Sequence, residues 1–465
     1  MKNKLKLLPI AIAACTLASP LSAKEEASAD KGKVEAELKF MHILSDAENG
    51  YDPSEGTAYG AKLKYTTPAW NNVKLGMGYY SAGDFLNQTD FDAGFDSDKR
   101  LARGMFVDPD GDETSLLGEF YLGFAIDKLQ IVGGRQRYMT PLTTITASTM
   151  PNFHEAYGIS TTAVPGLKLS LDQVVRMSLG ARAATDFGLI GEGTQTAGAV
   201  RPPEVRLADG TIRPGGLEQA KFHEISTIAT GDETTSTDGI TVVGATYSGL
   251  KNLKASAWNY YAGDISNTFY IDGSYALPLG GVKLKFDAQY LNQTDDGTLV
   301  QDNAWGGTGN FTDGIDYNLF GLKATVKGKK WMAFAAYNDS SGDTGMYNSW
   351  GGDPAYTSSI FSRNAYRENV SAYKIGAKYN FLKNLFLMAS YADYGQSDSV
   401  GRISGVGPHL EALTDADELD VVLVWKPIKS TMLKLFYADR TSEYDGSNGK
   451  ELTQEHLRFV ASYKF

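Results

Sequence analysis

The stretch that decides the fold is residues 457–465, which read Leu-Arg-Phe-Val-Ala-Ser-Tyr-Lys-Phe. Its odd-numbered positions are Leu457, Phe459, Ala461, Tyr463 and Phe465, and its even-numbered positions are Arg458, Val460, Ser462 and Lys464. Successive side chains of a strand point to opposite faces, so the alternation predicts a strand with one apolar and one mostly polar face. An apolar outer face, a wet inner face and a final aromatic are typical of a transmembrane β-barrel. The edge strand of a soluble sandwich could carry the same pattern, so the rest of the chain has to decide.

The first residues predict a secretory signal peptide. Three of the first six residues are lysines, residues 7–18 are mostly apolar, and residues 21–23 read Leu-Ser-Ala. This apolar run is too short for a membrane-spanning helix. We therefore expect cleavage after Ala23, which divides the chain into a signal peptide of residues 1–23 and a barrel domain of residues 24–465.

A second interpretation of this end remains open. Residues 12–15, Ile-Ala-Ala-Cys, resemble a lipobox that would place a lipid on Cys15. If cleavage follows Ala23 instead, the single cysteine is removed and the mature chain has no disulfide and no thiolate metal site. No later stretch is apolar over the roughly 18 residues that a membrane-spanning helix needs.

The composition agrees with a barrel. The chain has 26 Tyr, 21 Phe and 50 Gly, and its apolar fraction of 42% is ordinary, as expected when only one face of each strand meets lipid. The net charge of −11 argues against nucleic acid as a partner. No linker or shift in composition divides the chain, which favours a single domain.

Short, turn-like segments recur along the chain and alternate with long polar ones. The eight short segments are residues 66–72, 126–128, 164–166, 248–252, 278–281, 327–330, 381–384 and 426–430. They are rich in Pro, Gly and Asn, and segments of period-two alternation flank them. Short turns at one end and long loops at the other predict an antiparallel barrel of 18 strands, with both chain ends on the side of the short turns. Residues 176–238 could hide another hairpin, so 16 or 20 strands also stay open.

A barrel of this size is too wide for side chains to fill, so we expect a water-filled pore. By the predicted registers, the inward faces carry Lys62, Lys64, Lys74, Lys168, Lys254, Lys283, Lys285, Lys323, Lys374, Lys378, Lys434 and Arg458. The inward acids are Glu35, Glu37, Glu119, Asp272, Asp287 and Asp420. Either the pore is basic, or many of these lysines only mark the rim near the short turns.

One region resembles a known family. Residues 129–138 read Leu-Gln-Ile-Val-Gly-Gly-Arg-Gln-Arg-Tyr, residues 140–142 read Thr-Pro-Leu, and residues 150–158 read Met-Pro-Asn-Phe-His-Glu-Ala-Tyr-Gly. A Gly-Arg-Gln strand end, a Pro-containing loop and a Pro-x-x-Phe return resemble the OprD-type outer-membrane porins. The resemblance implies an all-β transmembrane barrel of 18 antiparallel strands whose third loop folds into the lumen, and a basic ladder that guides small carboxylate-bearing nutrients.

The resemblance also assigns residues. Arg135 would line the pore, while Arg137 and Tyr138 would lead into a constriction loop that contains Met139, Pro141, Met150, Pro151 and Phe153. One departure is that Thr149 stands where the family usually has an Arg, which leaves the charge of this loop open. Guanidinium suits a carboxylate path because it stays charged and binds carboxylate through two parallel hydrogen bonds.

Further pore candidates rest on register alone. Arg176 and Arg440 are additional ladder candidates, and the alternative for any such arginine is a salt bridge in the barrel wall. Trp258 and Tyr260 share the inward register and could form a stacking platform for sugars or aromatic acids. A position in the aromatic girdle at the membrane interface is the other interpretation.

The favoured function is therefore passive diffusion of small, carboxylate-bearing anions across the bacterial outer membrane, not catalysis. A general or saccharide-selective porin is the main alternative, and a surface adhesin or an outer-membrane enzyme is a third. The acidic residues 108–113 do not fit a calcium loop, and His154-Glu155 and His223-Glu224 lack the second His of a zinc protease, so we expect no metal and no cofactor.

The expected partners follow from this location. They are outer-membrane lipid and lipopolysaccharide, small-molecule solutes, and the barrel-assembly machinery, which would read Tyr463 and Phe465 as an assembly signal. The sequence leaves open whether the protein is a monomer or a homotrimer.

Overall fold

The structure is a computed structural model. It describes residues 32–48, 51–85, 113–143, 149–180, 205–206, 212–213, 220–230, 233–299, 314–347, 350, 352–360, 368–397, 413–444 and 451–465. The predicted signal peptide and Cys15 lie outside these residues.

The chain forms a closed antiparallel barrel of 18 strands, as the turn count predicted. The barrel strands are β1 Lys33–Glu48, β2 Tyr51–Thr66, β3 Val73–Asp84, β4 Thr114–Ile126, β5 Leu129–Gln136, β6 Phe153–Thr161, β7 Leu167–Ser178, β8 Ile240–Tyr247, β9 Leu253–Ala262, β10 Ser266–Leu279, β11 Val282–Asp295, β12 Asp316–Lys327, β13 Trp331–Ser341, β14 Ser371–Leu382, β15 Leu385–Tyr394, β16 Leu413–Trp425, β17 Thr431–Tyr444 and β18 Glu451–Lys464. Each strand pairs with the next along the chain, and β18 pairs with β1.

The closing strand behaves as its alternation predicts. Leu457 is exposed on the outer face, while Val460 and Ser462 are buried on the inner face. The amide of Phe465 donates a hydrogen bond to the carbonyl of Ala36 at 3.0 Å and ties the end of the chain to β1. Because closure pairs every strand on both sides, the sheet has no free edge inside the membrane.

The eight short turns lie at one end of the barrel, and their residue types suit them. Asn71, Asn72, Asp127 and Asn252 have positive φ, as does Gly280 in the turn between β10 and β11. Asn, Asp and Gly tolerate this left-handed conformation better than other residues. The turn chemistry therefore sets which strands become neighbours, and the long loops lie at the opposite end.

In the described structure β7 pairs directly with β8, so residues 176–238 add no strand between them. In their described part, Val205–Arg206 and Ile212–Arg213 pair only with each other. His223–Glu224 extends the sheet beside the upper end of β7, and the helix α1, Ile225–Thr230, follows it. The strand count is therefore 18 and not 16 or 20. No helix in the described residues is long and apolar enough to cross a membrane.

We expect the folded protein in detergent to give a circular dichroism spectrum dominated by β structure. We also expect it to migrate differently on SDS gels before and after boiling, because a closed ring of ladder hydrogen bonds has no edge from which to unfold. Unheated and boiled samples that migrate together, or a strongly helical spectrum, would contradict the barrel.

Candidate functional site

The inner wall of the barrel is rich in basic side chains. All the lysines predicted to face inward, together with Arg458, lie on the inner face, because their cross-strand partners and their alternation with exposed apolar residues place them there. For example, Leu63 is 59% exposed on the outside, and its neighbours Lys62 and Lys64 face the lumen. The predicted inward acids share this face, and so does Lys39.

Some of these charges neutralise one another. Lys62 pairs with Glu35 at 2.8 Å, and Lys64 pairs with Glu119. Lys285 pairs with Asp287 at 2.5 Å, and Lys374 pairs with Asp420 at 3.5 Å. These pairs fix the wall and contribute little free positive charge to the lumen.

Three other lysines are held by aromatic rings. The Nζ of Lys323 lies 4.5 Å from the ring centre of Phe334, that of Lys378 lies 3.5 Å from Phe386, and that of Lys434 lies 5.7 Å from Phe436. In the described part of the chain, none of the three forms an ion pair with a carboxylate. We call these six residues, on β12 to β17, the lysine–aromatic strip. A cation over a ring keeps its full charge, so the strip gives this wall a positive potential.

The described parts of loop 3 (residues 137–152), which are residues 137–143 and 149–152, fold into the lumen. Leu142 and Met150 are 2% and 0% exposed, which is possible only if the loop packs inside the barrel. Near its second end the loop meets β2: a Cβ on Gly60 would lie 2.6 Å from the carbonyl oxygen of Thr149. Only glycine leaves room for so close an approach, so Gly60 determines where the loop can contact β2.

Short hydrogen bonds hold loop 3 in shape. The side-chain amide of Asn152 donates to the carbonyl of Thr143 at 2.7 Å, and the hydroxyl of Thr143 donates to the carbonyl of Tyr138 at 3.1 Å. The Tyr138 hydroxyl donates to Asp172 on β7 at 3.0 Å. Burial, together with this carboxylate, raises the pKa of Tyr138 well above its ordinary value, so its hydroxyl remains a donor.

The predicted constriction residues divide into two groups. Met150 is buried with Phe153, whose ring packs on Tyr80 with a centroid distance of 4.6 Å. Pro141 and Pro151 are partly buried. Met139 is 60% exposed, so it does not share the packing of Met150 and Phe153.

Arg137 is on the lumen side. Its charge acts on Lys39 and Tyr80, which both belong to the inner wall. It lies at the start of loop 3, as the resemblance implied, and its side chain is exposed. Arg137 therefore adds a positive charge on the lumen side, near Lys39.

Sequence reasoning missed a second inward loop. In loop 7, residues 342–370, the Tyr347 amide donates to the Gln293 side-chain oxygen at 2.7 Å, and the Gln293 amide donates back to the Tyr347 carbonyl at 2.7 Å. Trp350 is 2% exposed, and the amide of Gly352 donates to the carbonyl of Leu142 in loop 3 at 3.1 Å. The signal was present in the sequence, because large apolar residues such as Tyr347 and Trp350 interrupt an otherwise polar loop.

Loop 7 continues along the inner wall. The amide of Thr357 donates to the Asn338 side chain at 2.9 Å, and the amide of Ile360 donates to Asp420 at 3.2 Å. Lys374 donates to the carbonyl of Ser358 at 2.8 Å. Loop 7 thus fastens itself to β13, β14 and β16, and loops 3 and 7 together narrow the passage.

Two of the predicted pore residues lie on the wrong side of the wall. Arg135 pairs in register with Phe120, which is 49% exposed on the outer face, and with Glu155, whose carboxylate accepts a hydrogen bond from the outward Tyr157. Arg176 pairs with Glu155 from the other side. Both arginines therefore face outward, and the expectation that they line the pore is wrong.

The remaining predicted arginine, Arg440, faces inward but is fully buried. Arg440 is 0% exposed and lies directly across from Glu418, which is also 0% exposed. Lys374 and Asp420 are buried on the same face. Arg440 therefore belongs to a buried charged cluster in the wall and does not offer a guanidinium to a passing solute.

Trp258 and Tyr260 both face inward, with ring centres 6.4 Å apart. Tyr260 is 1% exposed, because it packs in one core cluster with Leu142 of loop 3, so its ring is not open to a solute. Trp258 is only partly buried, and its indole donates to the hydroxyl of Ser256 at 3.1 Å. In the described residues, no group of His, Cys, Asp or Glu could hold a metal ion.

The geometry of the barrel agrees with the comparisons. A family model for the outer membrane porins of the OprD family matches residues 205–463, more than half of the chain. No curated protein gives a significant sequence match.

Solved porin structures match almost the whole chain. The structure of Pseudomonas aeruginosa OpdK with vanillate has a TM-score of 0.66 and 14% identity, and the match covers 93% of this chain and 98% of that one. P. aeruginosa OccK8 (OprE) has a TM-score of 0.64 and 13% identity, and the match covers 93% of this chain and 98% of that one. Acinetobacter baumannii OccAB4 has a TM-score of 0.63 and 14% identity, and the match covers 94% of this chain and 98% of that one. At such identities the likeness concerns the fold, while the family-model match establishes descent: the chain belongs to the OprD family of outer membrane porins.

Proposed function

We propose that this porin is selective for small solutes that carry a carboxylate. The lysine–aromatic strip is the observation that supports this choice. Lys323, Lys378 and Lys434 follow one wall of the lumen, and no described carboxylate pairs with them. Arg137, at the start of loop 3, contributes a further positive charge near Lys39.

Narrowing makes these charges effective. Loops 3 and 7 meet at the hydrogen bond between Gly352 and Leu142, so a solute passes through a restricted part of the lumen. In a narrow, partly dehydrated passage a fixed charge acts on an ion far more strongly than in bulk water. Several separate lysines offer a series of weak sites, which lets a solute enter and also leave.

The rings of the strip suggest a further preference for flat, apolar carboxylates. Phe334, Phe386 and Phe436 lie beside the lysines, and Tyr356 of loop 7 lies 5.9 Å from the Nζ of Lys323. A carboxylate could approach a lysine while its apolar part contacts a ring. The likeness to OpdK, whose structure contains the aromatic carboxylate vanillate, agrees with this proposal.

The saccharide alternative has weaker support. Its platform would need two open rings, and Tyr260 is covered by loop 3. Trp258 alone remains partly accessible. We therefore place sugars and other neutral solutes second.

Neutralising the strip tests the proposal. We expect Lys323→Gln, Lys378→Gln and Lys434→Gln together to lower the ratio of anion to cation permeability by about tenfold, since three lysines that each contribute about 0.5 kcal/mol add to this factor. The measurement is the reversal potential of the protein in a planar bilayer under a salt gradient. Swelling of liposomes with benzoate and with the neutral benzamide should show the same loss for the acid only.

A matched control removes the same charge from elsewhere. Lys329, Lys330 and Lys383 are exposed in the short turns, and changing all three to Gln should leave the permeability ratio nearly unchanged. An unaltered reversal potential in the strip variant would refute anion selectivity by this wall. Equal swelling with benzoate, benzamide and glucose in the unmodified protein would favour a general porin instead.

A further inference from the structure

The outer surface of the barrel has one unusual feature. Among the lysines and arginines of the barrel strands that the structure describes, Arg135 and Arg176 alone face outward, while the others lie on the inner face. They occupy the same row of the sheet, on β5 and β7, with Glu155 of β6 between them and Glu224 beyond Arg176. A guanidinium on the lipid side is unfavourable at the membrane centre, so this placement needs a reason.

The height of the row supplies part of that reason. Arg135 is the penultimate residue of β5, Leu129–Gln136, and Arg176 is the third residue from the end of β7, Leu167–Ser178. Tyr157, two residues nearer the short turns than Glu155 on β6, is 51% exposed on the outer face, as expected for the aromatic girdle at the membrane interface. Both ends meet the long loops, so the guanidinium groups lie at the level of the outer-leaflet headgroups, above the exposed Tyr157.

The two guanidinium groups have N–H donors that form no hydrogen bond in the described residues. The Nε of Arg135 lies 3.7 Å from Glu155, and Nη2 of Arg176 lies 3.9 Å from Glu224, which are ion pairs longer than hydrogen bonds. Within the described residues, neither arginine makes a hydrogen bond, although each carries five N–H donors. The ring of Phe222 lies 4.4 Å from the Arg135 guanidinium and holds it in place.

We propose that Arg135, Arg176 and Phe222 form a binding site for the phosphate groups of lipid A, the phosphorylated glycolipid of the outer leaflet. Guanidinium binds phosphate through two parallel charge-assisted hydrogen bonds. Arg135 and Arg176 lie two strand spacings apart, about 10 Å, so they can engage two phosphates at once. Glu155 and Glu224 orient the arginines and limit the affinity, so that the lipid exchanges.

Binding of lipid A to the purified protein in detergent, followed by native mass spectrometry, tests the site. We expect Arg135→Gln with Arg176→Gln to weaken the binding of bisphosphorylated lipid A about tenfold or more, because two charge-assisted contacts are lost. Arg135→Lys with Arg176→Lys keeps the charge but not the paired donors. Its affinity for lipid A should therefore lie between those of the unmodified protein and the Gln variant. Dephosphorylated lipid A should bind all variants equally weakly.

Two further variants keep the test decisive. Lys329→Gln with Lys330→Gln removes the same charge at the opposite end of the barrel and should not change lipid A binding. Glu155→Gln removes the ion pair with Arg135 and should strengthen lipid A binding. A misfolded protein would not bind lipid A more strongly, so this result would exclude misfolding as the cause. Equal binding by the Gln variant and the unmodified protein, or unreduced binding of dephosphorylated lipid A, would show that the arginines form only a structural ion-pair row.

Discussion

Removal of residues 139–152, with a short Gly-Ser linker in their place, should raise the single-channel conductance several-fold and reduce selectivity. Thr149 of loop 3 contacts Gly60 of β2, while Leu142 packs in one cluster with Tyr260 of β9. Leu142 also accepts a hydrogen bond from Gly352 of loop 7, so removal of loop 3 should widen the lumen. Bilayer recordings of the shortened protein would measure both quantities. Unchanged conductance would mean that loop 7 alone sets the constriction.

A matched pair of point variants in the same loop separates packing from pore lining. Leu142 is 2% exposed in the cluster that contains Tyr260 and Trp350, so Leu142→Ala should cost about 2–5 kcal/mol of folding stability or make the channel noisy. Met139 is 60% exposed, and Met139→Ala should leave stability nearly unchanged. Equal effects of the two variants would contradict the packing that we describe for loop 3.

The second large effect concerns the buried charged cluster. Arg440→Ala should destabilise the barrel by about 3–5 kcal/mol, because it leaves Glu418 buried without the cation across from it. Urea unfolding in detergent, or the temperature at which the folded gel band is lost, would measure the change. Lys434→Ala, on the same strand but not part of the cluster, is the control and should cost far less.

A double variant checks the cause. Glu418→Gln in the Arg440→Ala background removes the uncompensated charge and should restore part of the lost stability. If Arg440→Ala instead left stability intact and lowered anion permeability, Arg440 would be an accessible pore residue, as its register first suggested. Independent, additive losses in the double variant would separate Arg440 from Glu418.

The sites of Arg135 and Arg176 show two different reasons for error. Arg135 shares its parity with Ile131, which is 42% exposed on the outer face, so the alternation of β5 indicates an outward position, contrary to what the family motif implies. For Arg176, alternation with Leu171 predicted an inward position. The register shifts between Glu155 and Ala156 leave Val175 as an extra residue, and this bulge reverses the faces above it.

By itself, the sequence determined the barrel, a favoured count of 18 strands and the inward face of the lysines, because period-two alternation and turn chemistry are local properties. The inward course of loop 3 was implied by the family resemblance and not by a local pattern. Only the tertiary structure decided which cations are available. Arg440 is buried and lies across from Glu418 of β16. Lys378 is only partly buried and contacts the ring of Phe386. The way in which loop 7 fastens to Gln293 and Asp420 was also decided there, because such contacts join residues far apart in the chain and depend on strand register and barrel closure, which no local pattern encodes.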